Sequence, residues 1–117
     1  MTARQQRVAE AVKEEISDLI QNEMKDPRIG LASVVRAEIS RDLRVARVYV
    51  SVLGDDEDRK RCLAGLKSAT GFLRSELAKR IRLRVTPELE FRMDDSIEHG
   101  VHIARILRDL KHDTESE

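Results

Sequence analysis

The sequence predicts a single α+β domain with the order α-β-β-α-α-β-α, its three strands forming one sheet covered by helices on one face. Three observations predict it. An amphipathic helical stripe opens the chain. Two runs rich in β-branched residues then flank a short turn. Last, an apolar stripe of helical period is interrupted by one glycine and followed by a third alternating run. With 117 residues the chain has the length of one ordinary domain, here placed at residues 1–110 with a polar tail at 111–117.

In the first segment Val8, Val12, Ile16, Leu19 and Ile20 recur at helical spacing, with Arg7, Glu10, Lys13, Glu14 and Asp18 between them. Asp26-Pro27 ends it, because the residue before proline avoids the helical region. Residues 31–39 and 45–52 have strand length and composition, and Ser40-Arg41-Asp42 between them is turn-like. In the second run Ala46, Val48, Val50 and Val52 share one face, and Arg47, Tyr49 and Ser51 the other. Such alternation suits a sheet with one covered and one open face. Gly54 and the acids Asp55, Asp56, Glu57 and Asp58 leave this hairpin.

Two short helices are expected next. The first carries Leu63, Leu66 and Ala69, and the second Phe72, Leu73, Leu77 and Ile81. They meet at Ala69-Thr70-Gly71, read as a structural kink because glycine weakens a helix by about 1 kcal/mol relative to alanine. Thr86-Pro87 stops the pair. Leu89, Phe91 and Met93 alternate with Glu90 and Arg92 as a third strand. Asp94, Asp95 and Ser96 are helix-capping residue types, and Ile97, Val101, Ala104, Leu107 and Leu110 mark a last helix.

Charge is abundant and balanced: 38% of residues are charged, 22 basic and 22 acidic. The distribution is uneven. From Arg59 to Arg84 there are nine bases against the single acid Glu76, a net +8. A neutral chain with one basic segment can present a face that attracts polyanions. Each lysine or arginine that neutralises a phosphate releases a counterion, so such a face binds nucleic acid in a salt-dependent way. The candidate nucleic-acid-binding residues are Arg59, Arg61, Lys67, Arg74, Lys79, Arg80, Arg82 and Arg84, with Arg4, Arg7 and Lys13 of the first helix as auxiliaries. Aromatics are only 3% of the chain, which favours recognition of nucleic-acid shape and backbone over base stacking.

Other chemistries find little support. One cysteine, Cys62, excludes an intrachain disulfide and suits a reducing cytosol. No signal-peptide core and no apolar run of membrane-spanning length appears, so the expected location is the cytoplasm and no membrane partner is expected. Asp94, Asp95, His99 and His102 are the one group that could serve a small enzyme or a metal. A helix start explains the two aspartates, and two histidines lack a third strong ligand. The expectation is therefore no catalytic residue, no metal and no cofactor. A protein-interaction domain without RNA contact is the remaining alternative.

The element order is that of a type II KH domain with an added final helix, which implies a mixed sheet. KH domains hold nucleic acid beside a Gly-x-x-Gly loop, and none is present. Ala69-Thr70-Gly71 stands in its place. With Asp26-Pro27-Arg28-Ile29, Asp42-Leu43, the run from Ala46 to Val52, Gly71-Phe72-Leu73-Arg74, Leu83-Arg84 and Pro87-Glu88-Leu89-Glu90-Phe91, the chain resembles the ribosome-binding factor A family over residues 4–110. The resemblance implies a non-catalytic protein that binds free 30S subunits and 16S ribosomal RNA, and a monomer when free is the default expectation. It also implies a role in late 30S maturation, 16S processing and growth in the cold, with assembly GTPases as possible further partners.

Overall fold

The computed structural model describes residues 2–29 and 32–94. The helix expected over residues 97–110 lies outside them.

Helix α1 (Ala3–Asp18) begins at Thr2 with a reciprocal cap. The Thr2 hydroxyl accepts from the Gln5 N–H at 3.1 Å, and the Gln5 side chain accepts from the Thr2 N–H at 3.0 Å. Its buried stripe is Val8, Ala9, Val12 and Ile16. The stripe continues through Leu19 and Ile20 in a wider π-helical turn, Leu19–Glu23, closed by the Met24 N–H on the Leu19 carbonyl. Helical structure thus ends before Asp26-Pro27. The Asp26 carboxylate instead accepts from the Arg28 backbone at 2.9 Å and shapes the next turn.

Strands β1 (Ala32–Ile39), β2 (Val45–Val52) and β3 (Glu88–Met93) form one mixed sheet in the order β1-β2-β3. β1 and β2 are antiparallel, with a register shift between Val34 and Arg36. β2 and β3 are parallel, pairing Ala46 with Leu89 and Val48 with Phe91. In the hairpin turn Leu43 takes a positive φ of 61°. Hydrogen bonds from Arg44 N–H to Asp42 and from Val45 N–H to Ser40 offset the strain of that backbone.

The crossover from β2 to β3 is α2 (Asp56–Ser68) followed by α3 (Thr70–Arg80). The acids after the hairpin are the start of α2. Asp55 is its cap, in a reciprocal pair with Asp58, and Asp56, Glu57 and Asp58 occupy the first turn. That is where negative charge favours a helix dipole. The two helices meet at Ala69, whose φ of −90° and ψ of 0° end one helix and start the other. The bend therefore sits at Ala69, and Gly71 lies inside α3.

Helices α1, α2 and α3 pack on the face carrying Ala46, Val48, Val50, Leu89 and Phe91. Leu66, Leu73, Leu77 and Ile16 complete one apolar core. Burying a side chain of this size is worth about 1.5–3 kcal/mol, so the core fixes where the helix pair sits. Two expectations for it change. Cys62, rather than Leu63, is the fully buried residue at that point of α2. Phe72, placed in the stripe with Leu73, is 46% exposed.

Candidate nucleic-acid interface

The helical pair brings the basic segment to the surface but splits it into two sets. In the first set each cation already has a protein partner. Arg59 pairs with Asp56 and donates to the Gly54 carbonyl at 3.2 Å, which fastens the entry of α2. Arg74 donates to the carbonyls of Thr86 and Pro87 at 2.9 and 3.3 Å, tying α3 to the segment that enters β3. Lys79 pairs with Glu76 at 3.1 Å. Arg80 reaches across to α1, at 3.1 Å from Glu15 and 2.6 Å from Asp18. The Arg80 guanidinium, followed by the Asn22 amide, holds the Asp18 carboxyl below its ordinary range.

In the second set Arg61, Lys67, Arg82 and Arg84 are exposed and make no ion pair among the described residues. Lys60, beside Arg61, has the same character. Charge patterning does not reveal that division, because the partners of Arg74 and Arg80 are 12 and 62 residues distant. On α1, Arg4 and Arg7 are exposed and Lys13 is half-buried, again without an ion pair among the described residues.

The junction of the helices is open. Ala69 offers no side-chain hydrogen bond to the start of α3. The Thr70 hydroxyl turns back onto the Leu66 carbonyl at 3.0 Å. A Cβ built on Gly71 would meet nothing within 4 Å. Close helix packing therefore does not account for this glycine. The first N–H groups of a helix lack partners within it and carry partial positive charge, so an open helix start favours an anion. Lys67 is one turn before this start, on the exposed side of α2.

The sheet face that no described helix covers is different in kind. Two rows cross it in register: Glu38, Arg47 and Glu90, then Arg36, Tyr49 and Arg92. The Arg36 guanidinium lies 3.9 Å above the Tyr49 ring, and the Tyr49 hydroxyl donates to Glu38 at 3.4 Å. Arg36 pairs with Glu38 at 2.9 Å, Arg47 with Glu90 at 3.6 Å, and Arg92 with Glu90. Arg92, followed by Arg47, holds the Glu90 carboxyl low. A phosphate arriving here would compete with carboxylates already in place. Tyr49 thus serves cross-strand packing, with one face covered by Arg36.

Of the group Asp94, Asp95, His99 and His102, only Asp94 is among the described residues. Among those residues no set of three histidine, cysteine or acidic side chains could hold a metal ion. No described helix is long and apolar enough to cross a membrane.

Comparison with known proteins gives one consistent answer. The family model for ribosome-binding factor A matches residues 4–107. The ribosome-binding factor A of Desulfitobacterium hafniense is 54% identical over 114 residues, covering 97% of this chain and 91% of the relative. The crystal structure of ribosome-binding factor A from Thermus thermophilus superposes with a TM-score of 0.68 at 31% identity, covering 76% of this chain and 94% of that one. A homology model of the Thermus thermophilus factor, fitted into an electron cryo-microscopy map of a 30S complex, gives a TM-score of 0.59 at 30% identity, covering 82% and 97%. The KH-like mixed sheet, the bent helix pair in place of a Gly-x-x-Gly loop and these matches agree: the chain belongs to the ribosome-binding factor A family.

Proposed function

We propose that this protein binds the free 30S subunit in the cytoplasm by gripping phosphates of 16S ribosomal RNA, and so assists late 30S maturation without catalysing a reaction. The observation that carries this reading is the open start of α3 at Ala69-Thr70-Gly71, one turn after Lys67, which makes no ion pair among the described residues. The relative fitted into a 30S map supports the partner. Arg61, Lys67, Arg82 and Arg84 are the residues that meet phosphate. Arg59, Arg74, Lys79 and Arg80 hold the helix pair in shape. A monomer that binds an immature arrangement of RNA more tightly than the mature one shifts the population toward a form ready for 16S processing. Its occupancy would delay subunit joining and matter most in the cold. Assembly GTPases are the natural agents to displace it.

The test is co-sedimentation with purified 30S subunits across a salt series. The variant Arg61→Ala/Lys67→Ala/Arg82→Ala/Arg84→Ala should lower the slope of log affinity against log salt by about 3, at ~0.7–0.9 per lost phosphate contact. An unchanged slope and affinity would remove the phosphate-binding reading. Binding by the unaltered protein that ignores salt would move the proposal to a protein partner.

A further inference from the structure

Where the hairpin hands over to α2 the surface is indented. Pro27, Arg28, Val52, Leu53, Asp58 and Arg61 line a cavity of about 120 Å³ there. Both of its walls are fixed. One is the turn after α1, where the Asp26 carboxylate accepts from the Arg28 backbone and guanidinium at 2.9 and 2.7 Å. Ile29, 1% exposed, anchors that turn in the core. The other wall is the start of α2. Gly54 turns the chain with a φ of 153°, and the reciprocal Asp55–Asp58 cap and the Arg59 contact to the Gly54 carbonyl hold the entry. Asp58, Arg61 and Gly65 share one face of α2. A Cβ on Gly65 would stand 3.3 Å from Arg28 Cβ, so the turn lies directly against that face.

The lining combines two characters. Pro27, Val52 and Leu53 are apolar, and Leu53, at 82%, is the most exposed large apolar side chain among the described residues. Arg61 is exposed and makes no ion pair among those residues. Arg28 commits its Nε and Nη2 to Asp26, which leaves Nη1 for a ligand. Charge decides between ligand classes. Arg28 and Arg61 are offset by Asp26 and Asp58, so the site is locally neutral, and Asp55, Asp56 and Glu57 continue an acidic edge beside it. A phosphodiester chain would bring successive charges against that edge and leave the apolar wall unused. A carboxylate next to an apolar side chain satisfies both characters with a single charge, and the guanidinium fork matches it in shape.

We propose that this cavity binds an acidic peptide segment of a partner protein. Its carboxylate pairs with Arg61 and Arg28, and the neighbouring apolar side chain packs on Leu53, Val52 and Pro27. Peptide and phosphate are alternatives at Arg61, whereas Lys67, Arg82 and Arg84 stay with RNA. The proposal therefore goes beyond the phosphate-binding reading and does not depend on it.

The test is a titration of the full chain, labelled with nitrogen-15, with a soluble peptide of Glu-Leu-Ser repeats. The amides of Arg28, Leu53, Asp58 and Arg61 should shift and saturate. Repeats of Gln-Leu-Ser, which lack the charge, or of Glu-Ala-Ser, which lack most of the apolar surface, should bind about tenfold more weakly. Leu53→Ser should weaken binding to a similar degree at an unchanged urea midpoint, because this side chain is exposed. Absence of these shifts, shifts centred elsewhere on the chain, or equal affinity for either control peptide would overturn the proposal. Larger shifts of the same amides with a single-stranded RNA would return the cavity to a polyanion, with the same consequence. A clear fall in the urea midpoint of Leu53→Ser would show a side chain covered within the folded protein, and the docking surface would be lost with it. The variant Lys67→Ala/Arg82→Ala/Arg84→Ala separates the two readings. It should lose 30S affinity and keep the peptide. Loss of both would make the peptide a mere reporter of the basic face and sink this inference, while retention of both would leave it standing and count against phosphate binding instead.

Discussion

Two helical glycines, six residues apart, are expected to respond to alanine in opposite senses. Gly65 is buried inside α2, and a Cβ there would stand 2.9 Å from Ile29 Cγ1 and 3.3 Å from Arg28 Cβ. Ile29 is 1% exposed, so its side chain has no solvent side to move into. Overpacking of this kind costs about 1–3 kcal/mol. The gain in helix propensity returns about 1 kcal/mol. Gly65→Ala should therefore destabilise by roughly 1 kcal/mol. At Gly71 the added methyl meets nothing. In the first turn of α3 only part of the propensity gain applies, so Gly71→Ala should stabilise by about 0.5 kcal/mol. Urea unfolding at 25 °C, with a slope of roughly 1–3 kcal/mol/M, should separate the two midpoints by about 1 M. The same Gly71→Ala protein should bind 30S subunits more weakly, because the methyl occupies the space proposed for RNA. A stable Gly65→Ala with a destabilised Gly71→Ala would refute the placement of both residues. A stabilised Gly71→Ala with undiminished subunit binding would refute backbone approach at the junction.

Other consequences follow from the same geometry. Leu73→Ala or Leu77→Ala, each removing a fully buried side chain of α3, should cost about 2–5 kcal/mol by urea unfolding. Thr2→Ala removes the reciprocal cap of α1 and should cost about 0.5–2 kcal/mol by the same measurement. Asp18, Asp26, Asp42 and Asp55 titrate below their ordinary 3.8 when folded, and Glu90 below its ordinary 4.5. The unfolded chain then binds protons more readily, so this stabilisation is present above about pH 4.5 and drains away as pH falls through the lowered values. Thermal melts from pH 6 to pH 3 should show it, with a shallower fall in Asp18→Asn; equal falls would deny the Arg80 contact its role. Cys62 is 1% exposed, and burial, then the charge of Asp26, pushes its thiol up. Ellman's reagent should label it only at the rate of unfolding, and prompt labelling of the folded protein would contradict its burial.

The elements were legible wherever a periodic apolar pattern met a clear stop. Val8, Val12 and Ile16 announced α1, and the alternation from Ala46 to Val50 announced both the strand and its covered face. The ends were less legible where capping chemistry overrides composition. Asp55 to Asp58 look like a loop, yet an aspartate cap and a favourable dipole make them the start of α2. Phe72 precedes Leu73 by one residue, about 100° around the helix, and that angle carries it off the stripe of Leu73 and Leu77. The periodicity contains this information, but an apolar residue beside a buried one is easily counted with it.

The candidate site divides at a deeper level. A +8 segment tells that cations are concentrated, not which of them are available to a ligand. Availability depends on acceptors brought close by the fold: Glu15 and Asp18 reach Arg80 only because α1 packs beside α3, and the Thr86 and Pro87 carbonyls reach Arg74 only because the chain turns back to pair β3 with β2. Such paired cations still contribute to the field over the face, yet a phosphate that takes one must leave a carboxylate or a carbonyl without its partner. Exposed Arg61, Lys67, Arg82 and Arg84 carry no such cost. The two sets should therefore fail differently when neutralised. Loss of the open set weakens association and flattens its salt dependence while the fold keeps its stability. Loss of Arg74 or Arg80 acts first on the fold, loosening the helix pair, and reaches the ligand only through the altered position of the junction. Measuring unfolding and subunit binding on the same variants distinguishes the two routes, and a stable Arg80→Gln that nonetheless abolished binding would place Arg80 among the phosphate ligands instead.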